Sequence, residues 1–235
     1  MGVMGETGKQ KVAVFDVDGT IFRSSLLIQV VEAMIESGTF PAEAREEFEE
    51  DHQKWLDREG DYQTYIDAVV ITFRKHLKGV PYKALEDAAY KVVDVQWKHT
   101  YRYTRDLLKD LKERGYFLLA VSHSPKTVLD KFCPRLGFHK TYGIFYEIGP
   151  TEAFTGTVAE EHLIYNKANI LKRAVEKENL TLEDSVGVGD TESDIPFLEL
   201  VARPICFNPN KKLYRYAKLH DWNVVVERKD VIYEL

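Results

Sequence analysis

Two hydrophobic rhythms divide the chain. Val12-Ala13-Val14-Phe15 is an unbroken apolar run, preceded by Lys11 and followed by Asp16 and, after Val17, by Asp18-Gly19-Thr20. A run this short, bounded by a charge and by Asp-Gly, predicts a strand buried on both faces of a parallel sheet. From about Ser24 to His99 the strand signal disappears and apolar residues recur at helical spacing. Ser24 and Ser25 are placed as N-caps for a helix over Leu26 to Glu36, which Ser37-Gly38 and Pro41 stop before the next begins. Glu43 to Arg58, Tyr62 to Leu77 and a stretch opened by Pro81 read as further helices, with no strand between them.

Beyond a helix at Tyr103 to Arg114 the rhythm alternates. Strands are expected at Phe117 to Val121, Gly143 to Ile148, Ser185 to Val188, Ile205 to Phe207 and Val224 to Val226. Helices are expected between them at Ser124 to Leu136, Leu163 to Glu178, Ile195 to Val201 and Lys211 to Leu219. Strand and helix in alternation predict crossover helices on a doubly wound parallel sheet. The fold class is therefore α/β, with residues 1–22 and 101–235 as the core domain and 23–100 as an inserted all-helical cap domain. The insertion begins just after the two aspartates, above the carboxyl edge where open α/β sheets bind ligands. It is expected to act as a lid, hinged near Thr20 to Arg23 and Trp97 to Tyr103.

Composition narrows the partners. A net charge of −6 argues against a nucleic-acid partner, which calls for a basic face. No apolar run approaches the roughly 18 residues of a membrane span, and MGVMGETGKQ lacks a signal-peptide core, so a cytoplasmic protein with no membrane partner is expected. Cys133 and Cys206 read as buried structural thiols of a reduced compartment.

Carboxylates two residues apart, just past a buried strand, either share a cation or take different protonation states. An EF-hand calcium loop starting at Asp16 would need Gly at position 6 and Glu at position 12, where this chain has Ile21 and Leu27. Three other segments carry chemistry. Val121-Ser122-His123-Ser124-Pro125 ends a strand and opens a helix, with Ser124 as N-cap and Pro125 as first helical residue, an arrangement suited to an anion. Lys167 begins a helical stretch, where a cation is electrostatically disfavoured. Gly189-Asp190 ends another buried strand, and Asp194 follows one helical turn later.

In the order Asp16-Val17-Asp18-Gly19-Thr20, Ser122, Lys167, Gly189 to Asp194, these residues resemble the haloacid dehalogenase superfamily of phosphohydrolases, over nearly the whole chain. A helical insertion between the first two motifs is similar to the phosphoserine phosphatase-like branch, and so is the Pro204 to Pro209 segment. The resemblance implies a Rossmann-like core, Asp16 as nucleophile and Asp18 as general acid and then base. It implies Mg²⁺ held by the Asp16 carboxylate, the Asp18 main-chain carbonyl and Asp190, with Asp194 orienting metal waters or Lys167. Ser122, the His123 amide and Lys167 would bind phosphate oxygens, with Thr20 fixing the turn beside them. Asp18 argues against dehalogenation, because a halide leaves without a proton.

The expected function is a Mg²⁺-dependent phosphomonoesterase that hydrolyses a small phosphorylated metabolite through an aspartyl-phosphate. A phosphomutase or phosphotransferase would use the same intermediate, and a phosphate-binding regulator would keep the site without turnover. Arg23, Ser24, Ser25, Arg74 and His76 are candidates to contact the leaving group. Phosphoserine phosphatases carry Glu shortly after the first motif, whereas Phe22-Arg23-Ser24-Ser25 offers Arg, which disfavours phosphoserine and suits an anionic or polyol phosphate. The cap aromatics Trp55, Tyr62, Tyr65, Phe73, Tyr90 and Trp97 are expected to be core.

Overall fold

The computed structural model describes residues 8–159 and 166–235. Its centre is an eight-stranded sheet in the order β4-β3-β2-β1-β5-β6-β7-β8. The strands are β1 (Gln10–Phe15), β2 (Phe117–Pro125), β3 (Lys140–Ile148), β4 (Phe154–Ala159), β5 (Leu180–Gly189), β6 (Arg203–Phe207), β7 (Asn223–Arg228) and β8 (Val231–Glu234). The inner pairs are parallel, whereas β4 on β3 and β8 on β7 are antiparallel. Those two edge strands are absent from the sequence reading, which saw only the crossover part of the sheet.

Five helices of the described residues carry the crossovers and the face of the sheet: α5 (Arg102–Glu113), α6 (Lys126–Leu136), α7 (Lys167–Lys177), the four-residue α8 (Ile195–Leu198) and α9 (Lys211–Leu219). The start of the helix expected from Leu163 lies outside the described residues. The helix expected to reach Val201 stops at Leu198. Ser124 is not an N-cap: β2 runs on to Pro125, which pairs with Ile144, and α6 begins at Lys126.

Between β1 and α5 lie α1 (Leu26–Glu36), a 3₁₀ turn (Ala42–Arg45), α2 (Glu46–Leu56), α3 (Tyr62–Leu77) and α4 (Tyr82–Gln96). The chain leaves the sheet and returns to it side by side, with Arg23 N–H donating to His99 O at 3.0 Å and Tyr101 N–H to Ile21 O at 3.0 Å. A second tie joins the loop between α3 and α4 to β4. Gly79 N–H donates to Phe154 O at 2.8 Å, Phe154 N–H to Val80 O at 2.9 Å and Tyr82 N–H to Glu152 O at 2.8 Å. The helical segment is thus tied to the rest of the chain at a third place besides its two ends.

Register explains why the functional segments meet. Phe15 pairs with Ala120 on one side and Val188 on the other, and Val12 through Phe15 are wholly buried. The residues after Phe15 therefore emerge level with Val121-Ser122 and with Gly189-Asp190. Strand order also reverses here, since the chain builds outward through β2 and β3 and then returns to β5, which is where α/β sheets open a ligand crevice.

Candidate active site

Asp16 follows β1 and is 4% exposed. Lys167, the first residue of α7, is buried beside it, with Nζ donating to Asp16 Oδ1 at 2.5 Å and to Asp194 Oδ1 at 2.5 Å. Asn166 caps that helix, its Oδ1 accepting from the amides of Ala168 and Asn169, so the lysine is delivered from a fixed N-terminus. The electrostatic cost of a cation at this end is offset by two carboxylates.

Asp194 is completely buried and committed at both oxygens. Oδ1 takes Lys167, and Oδ2 accepts from the amides of Asp190 and Thr191 at 3.0 Å each. Asp194 and Thr191 form a reciprocal capping box over the short 3₁₀ turn at Glu192–Asp194. One geometry thus serves both the start of the short 3₁₀ turn and the hold on Lys167. Gly189 must lack a side chain, since a Cβ there would lie 2.6 Å from Asp194.

Asp18 is gripped at both oxygens as well. Leu26 N–H, at the start of α1, donates to Oδ1 at 2.6 Å, and Ser122 Oγ–H donates to Oδ2 at 2.6 Å. Ser25 occupies the N-cap position of α1 without a side-chain cap, so the aspartate takes over part of that task. Ser122 Oγ in turn accepts from Ser124 N–H at 2.8 Å. His123 is half-buried next to it. Thr20, expected near the phosphate, is fully buried instead; its hydroxyl donates to Asp190 Oδ1 at 3.3 Å and its carbonyl accepts from Thr104 Oγ1 at 2.8 Å. It steadies a carboxylate of the site.

Ligand atoms of Asp16, Asp190 and Asp194 lie within 4.8 Å of one another. Because Asp194 is already fully engaged, Asp16 and Asp190 are the two free to hold a cation. Four carboxylates, Asp16, Asp18, Asp190 and Asp194, face one buried ammonium, and that surplus negative charge is what a divalent ion would neutralise. Burial foremost, with Asp194 and Asp18 adding, raises Asp16 to about 8 against the pull of Lys167. Burial and the neighbouring Asp16 and Asp194 likewise raise Asp190 well above the usual carboxylate range. Burial raises Asp18 despite its hydrogen bonds. Burial alone would lower Lys167, but Asp16 and Asp194 more than offset it and hold the ammonium charged. Gly19, at φ +77°, passes so close to Asp190 that a Cβ would sit 2.1 Å from Oδ2.

A cavity of about 940 Å³ opens from Gly19 and Asp190 towards the helices. Arg23 and Ser24 line it, and the Arg23 guanidinium lies 5.7 Å from the centre of the Tyr101 ring. Ser25 is buried, while Arg74 and His76 are not on the cavity wall; His76 Nε2 meets Glu47 at 2.8 Å. Among the aromatics expected in the core, Phe73 is fully buried, Tyr90 is exposed beneath Lys131, and Trp97 packs half-buried on the core. Trp55, Tyr62 and Tyr65 line the cavity, as do Tyr101, Asn208 and Asn210, which sequence reasoning did not single out. The Asn208-Pro209-Asn210 break after β6 was the available signal, since Asn210 caps α9 through Leu213 N–H and its own amide donates to Asp190 O at 2.8 Å.

Residues 13–199 match the model of the haloacid dehalogenase-like hydrolases. The chain belongs to that family. It is a phosphatase of that family and is similar to phosphoserine phosphatases. It is 24% identical over 225 residues to the phosphoserine phosphatase of Methanocaldococcus jannaschii, covering 95% of each chain. It is 22% identical to the histidinol-phosphatase of Neisseria meningitidis, covering 92% of this chain and 98% of that one. Among solved structures, a phospho-aspartyl intermediate analogue of phosphoserine phosphatase superposes with a TM-score of 0.61 at 22% identity, covering 94% of this chain and 95% of that one, and shares the fold. No helix of the described residues is long and apolar enough to cross a membrane.

Proposed function

We propose that the protein is a Mg²⁺-dependent phosphomonoesterase that cleaves a small phosphorylated metabolite through an acyl phosphate formed on Asp16, in the cytoplasm and without a nucleic-acid or membrane partner. The observation that carries this reading is the pairing of Asp16, fixed by Lys167, with Asp18, fixed by Leu26 N–H and Ser122 Oγ, at the carboxyl end of β1. Asp16 attacks phosphorus in line, the bond from phosphorus to the leaving oxygen breaks, and Asp18 gives that oxygen its proton. The environment that raises Asp18 favours the protonated form this step needs. Asp18, now a carboxylate, takes a proton from water, whose oxygen attacks phosphorus and breaks the acyl-phosphate P–O bond, returning the Asp16 carboxylate and releasing inorganic phosphate.

Lys167 neutralises phosphate oxygens beside Asp16, and positioning with charge neutralisation is most of what phosphoryl transfer requires. Asp16 and Asp190 would hold the Mg²⁺ together with the Asp18 carbonyl. When bound, it neutralises charge between phosphate and carboxylates. Segment 23–100 acts as the cap over this site, with Arg23 facing the leaving group. An Arg at this position favours a substrate other than phosphoserine.

The test is inorganic phosphate release from a panel of phosphomonoesters with and without Mg²⁺, with Asp16→Asn as the control. Metal-dependent release that the substitution abolishes is expected. Near wild-type turnover in Asp16→Asn would remove the nucleophile assignment, and transfer of the phosphoryl group to an added alcohol without free phosphate would make the protein a phosphotransferase.

A further inference from the structure

A cavity of about 940 Å³ lies at the upper end of small-molecule sites. It is far roomier than a phosphoryl group with a three-carbon leaving group requires, so its walls indicate what fills it. One wall is aromatic. Trp55, near the end of α2, meets Tyr62, the first residue of α3, edge to face with centroids 5.4 Å apart. Trp55 also lies 5.9 Å from Tyr65 with the planes only 18° apart, and Tyr65 stacks on His52 at 4.7 Å. Tyr65 is buried at 4% exposure, as a packing residue should be. Trp55, Tyr62 and His52 are half-buried on the cavity wall, so part of each ring is left for a ligand.

The charged groups around this wall differ in how they are engaged. Its carboxylates are occupied: Glu32 pairs with Arg45, Glu192 with Lys212, and Asp61 caps α3 through Thr64 N–H, while Asp190 belongs to the reaction centre. Arg23, Arg58 and Lys211 stand exposed at the rim, and among the described residues none of them has a carboxylate partner. A ligand here therefore meets ring faces inside and basic side chains without an ion-pair partner at the mouth.

We propose that the leaving group carries a flat ring that rests on Trp55 and Tyr62 and an anionic substituent that meets Arg23, Arg58 and Lys211. This rests on the phosphomonoesterase reading above and names its substrate class. A ring contact of this kind is worth about tenfold in binding, and a charge-assisted contact is worth at least as much.

The experiment compares kcat/KM with Mg²⁺ for glycerol 3-phosphate, benzyl phosphate and 4-carboxybenzyl phosphate, whose leaving groups are all alkyl alcohols. Benzyl phosphate is expected to exceed glycerol 3-phosphate by about tenfold, and the carboxylated ester to exceed benzyl phosphate by about tenfold again. Trp55→Leu should collapse the first ratio and Arg58→Gln the second; ratios taken within one variant cancel any loss of folded enzyme. Calorimetric binding of 4-(2-phosphonoethyl)benzoate, in which a methylene replaces the bridging oxygen of the carboxylated ester and which cannot be hydrolysed, reads the same contacts without turnover and should weaken in both variants. Equal rates for the three esters, or ratios and phosphonate affinity unmoved by both substitutions, would overturn the proposal and leave the phosphatase reading standing. Phosphonate binding that depends on Trp55, with no phosphate released from any ester, would uphold the pocket and sink the phosphatase reading instead.

Discussion

Ser122 donates its hydroxyl to Asp18 at 2.6 Å, and that bond, with Leu26 N–H on the other oxygen, fixes the carboxyl that we propose as the proton donor. Ser122 lowers the Asp18 pKa against the rise caused by burial. Ser122→Ala should therefore move the pH–rate limb assigned to Asp18 to higher pH and lower kcat by about 10- to 100-fold. A profile that keeps its shape while only KM rises would mean that Ser122 serves phosphate binding alone.

Lys167 shares one ammonium between Asp16 and Asp194, both buried. Lys167→Met leaves two carboxylates without their cation, which should destabilise the fold by about 3 kcal/mol or more and reduce kcat by about 10²- to 10³-fold. Adding Asp194→Asn to it should recover part of the denaturation midpoint and none of the activity. Recovery of turnover in the double variant would show that the lysine matters for packing only.

The sign of the pH response follows from the carboxyls. Asp16 folded sits at about 8 and Asp190 is also raised, mainly by burial, whereas an unfolded Asp titrates near about 3.9. Between those limits the folded state binds more protons than the unfolded one, so these groups stabilise the fold at low pH and lose that contribution as pH rises. Mg²⁺, which needs deprotonated ligands, should raise the melting temperature more at about pH 8 than at about pH 5. Asp190→Asn should flatten that difference, and a Mg²⁺ effect independent of pH would contradict the assignment of the ligands.

Gly19 combines a positive φ with a Cβ position 2.1 Å from Asp190 Oδ2. Gly19→Ala should cost about 1–3 kcal/mol in stability and displace Asp190, so that the concentration of Mg²⁺ giving half-maximal activity rises. Unchanged metal dependence in a folded variant would show that Asp190 is not a ligand.

How much of this was readable in advance depended on whether the signal was local. α1, α3 and α9 begin and end where helical spacing and flanking caps put them, at Leu26–Glu36, Tyr62–Leu77 and Lys211–Leu219. β4 and β8 escaped notice because each has a single strand partner, and Thr155-Gly156-Thr157 carries little of the apolar pattern that marks a buried strand. The five polar residues that meet at the strand ends, Asp16, Asp18, Lys167, Asp190 and Asp194, were legible from side-chain type and order. Leu26 N–H and Asn210 N–H were not, because a backbone donor leaves no mark in a sequence. The partners of Thr20 were not legible either, because Asp190, which takes its hydroxyl, and Thr104, which donates to its carbonyl, lie 170 and 84 residues away.

Cys133 and Cys206 offer a test of the packed interior that is independent of the chemistry. Both are free thiols with 0% exposure. Burial pushes Cys206 up to about 12 and raises Cys133 as well, the latter against a hydrogen bond with Thr141. At about pH 8, a thiol with that pKa is thiolate about once in 10⁴ molecules, and the thiolate is the species that reacts. A disulfide reagent should therefore find no reactive thiol in the native protein and both in denaturant. Because opening of the fold exposes them, their slow native-state labelling should accelerate in Lys167→Met, the logarithm of the rate rising in proportion to the stability lost. Rapid labelling of Cys133 in the wild type would mean that α6 does not pack against the sheet as described.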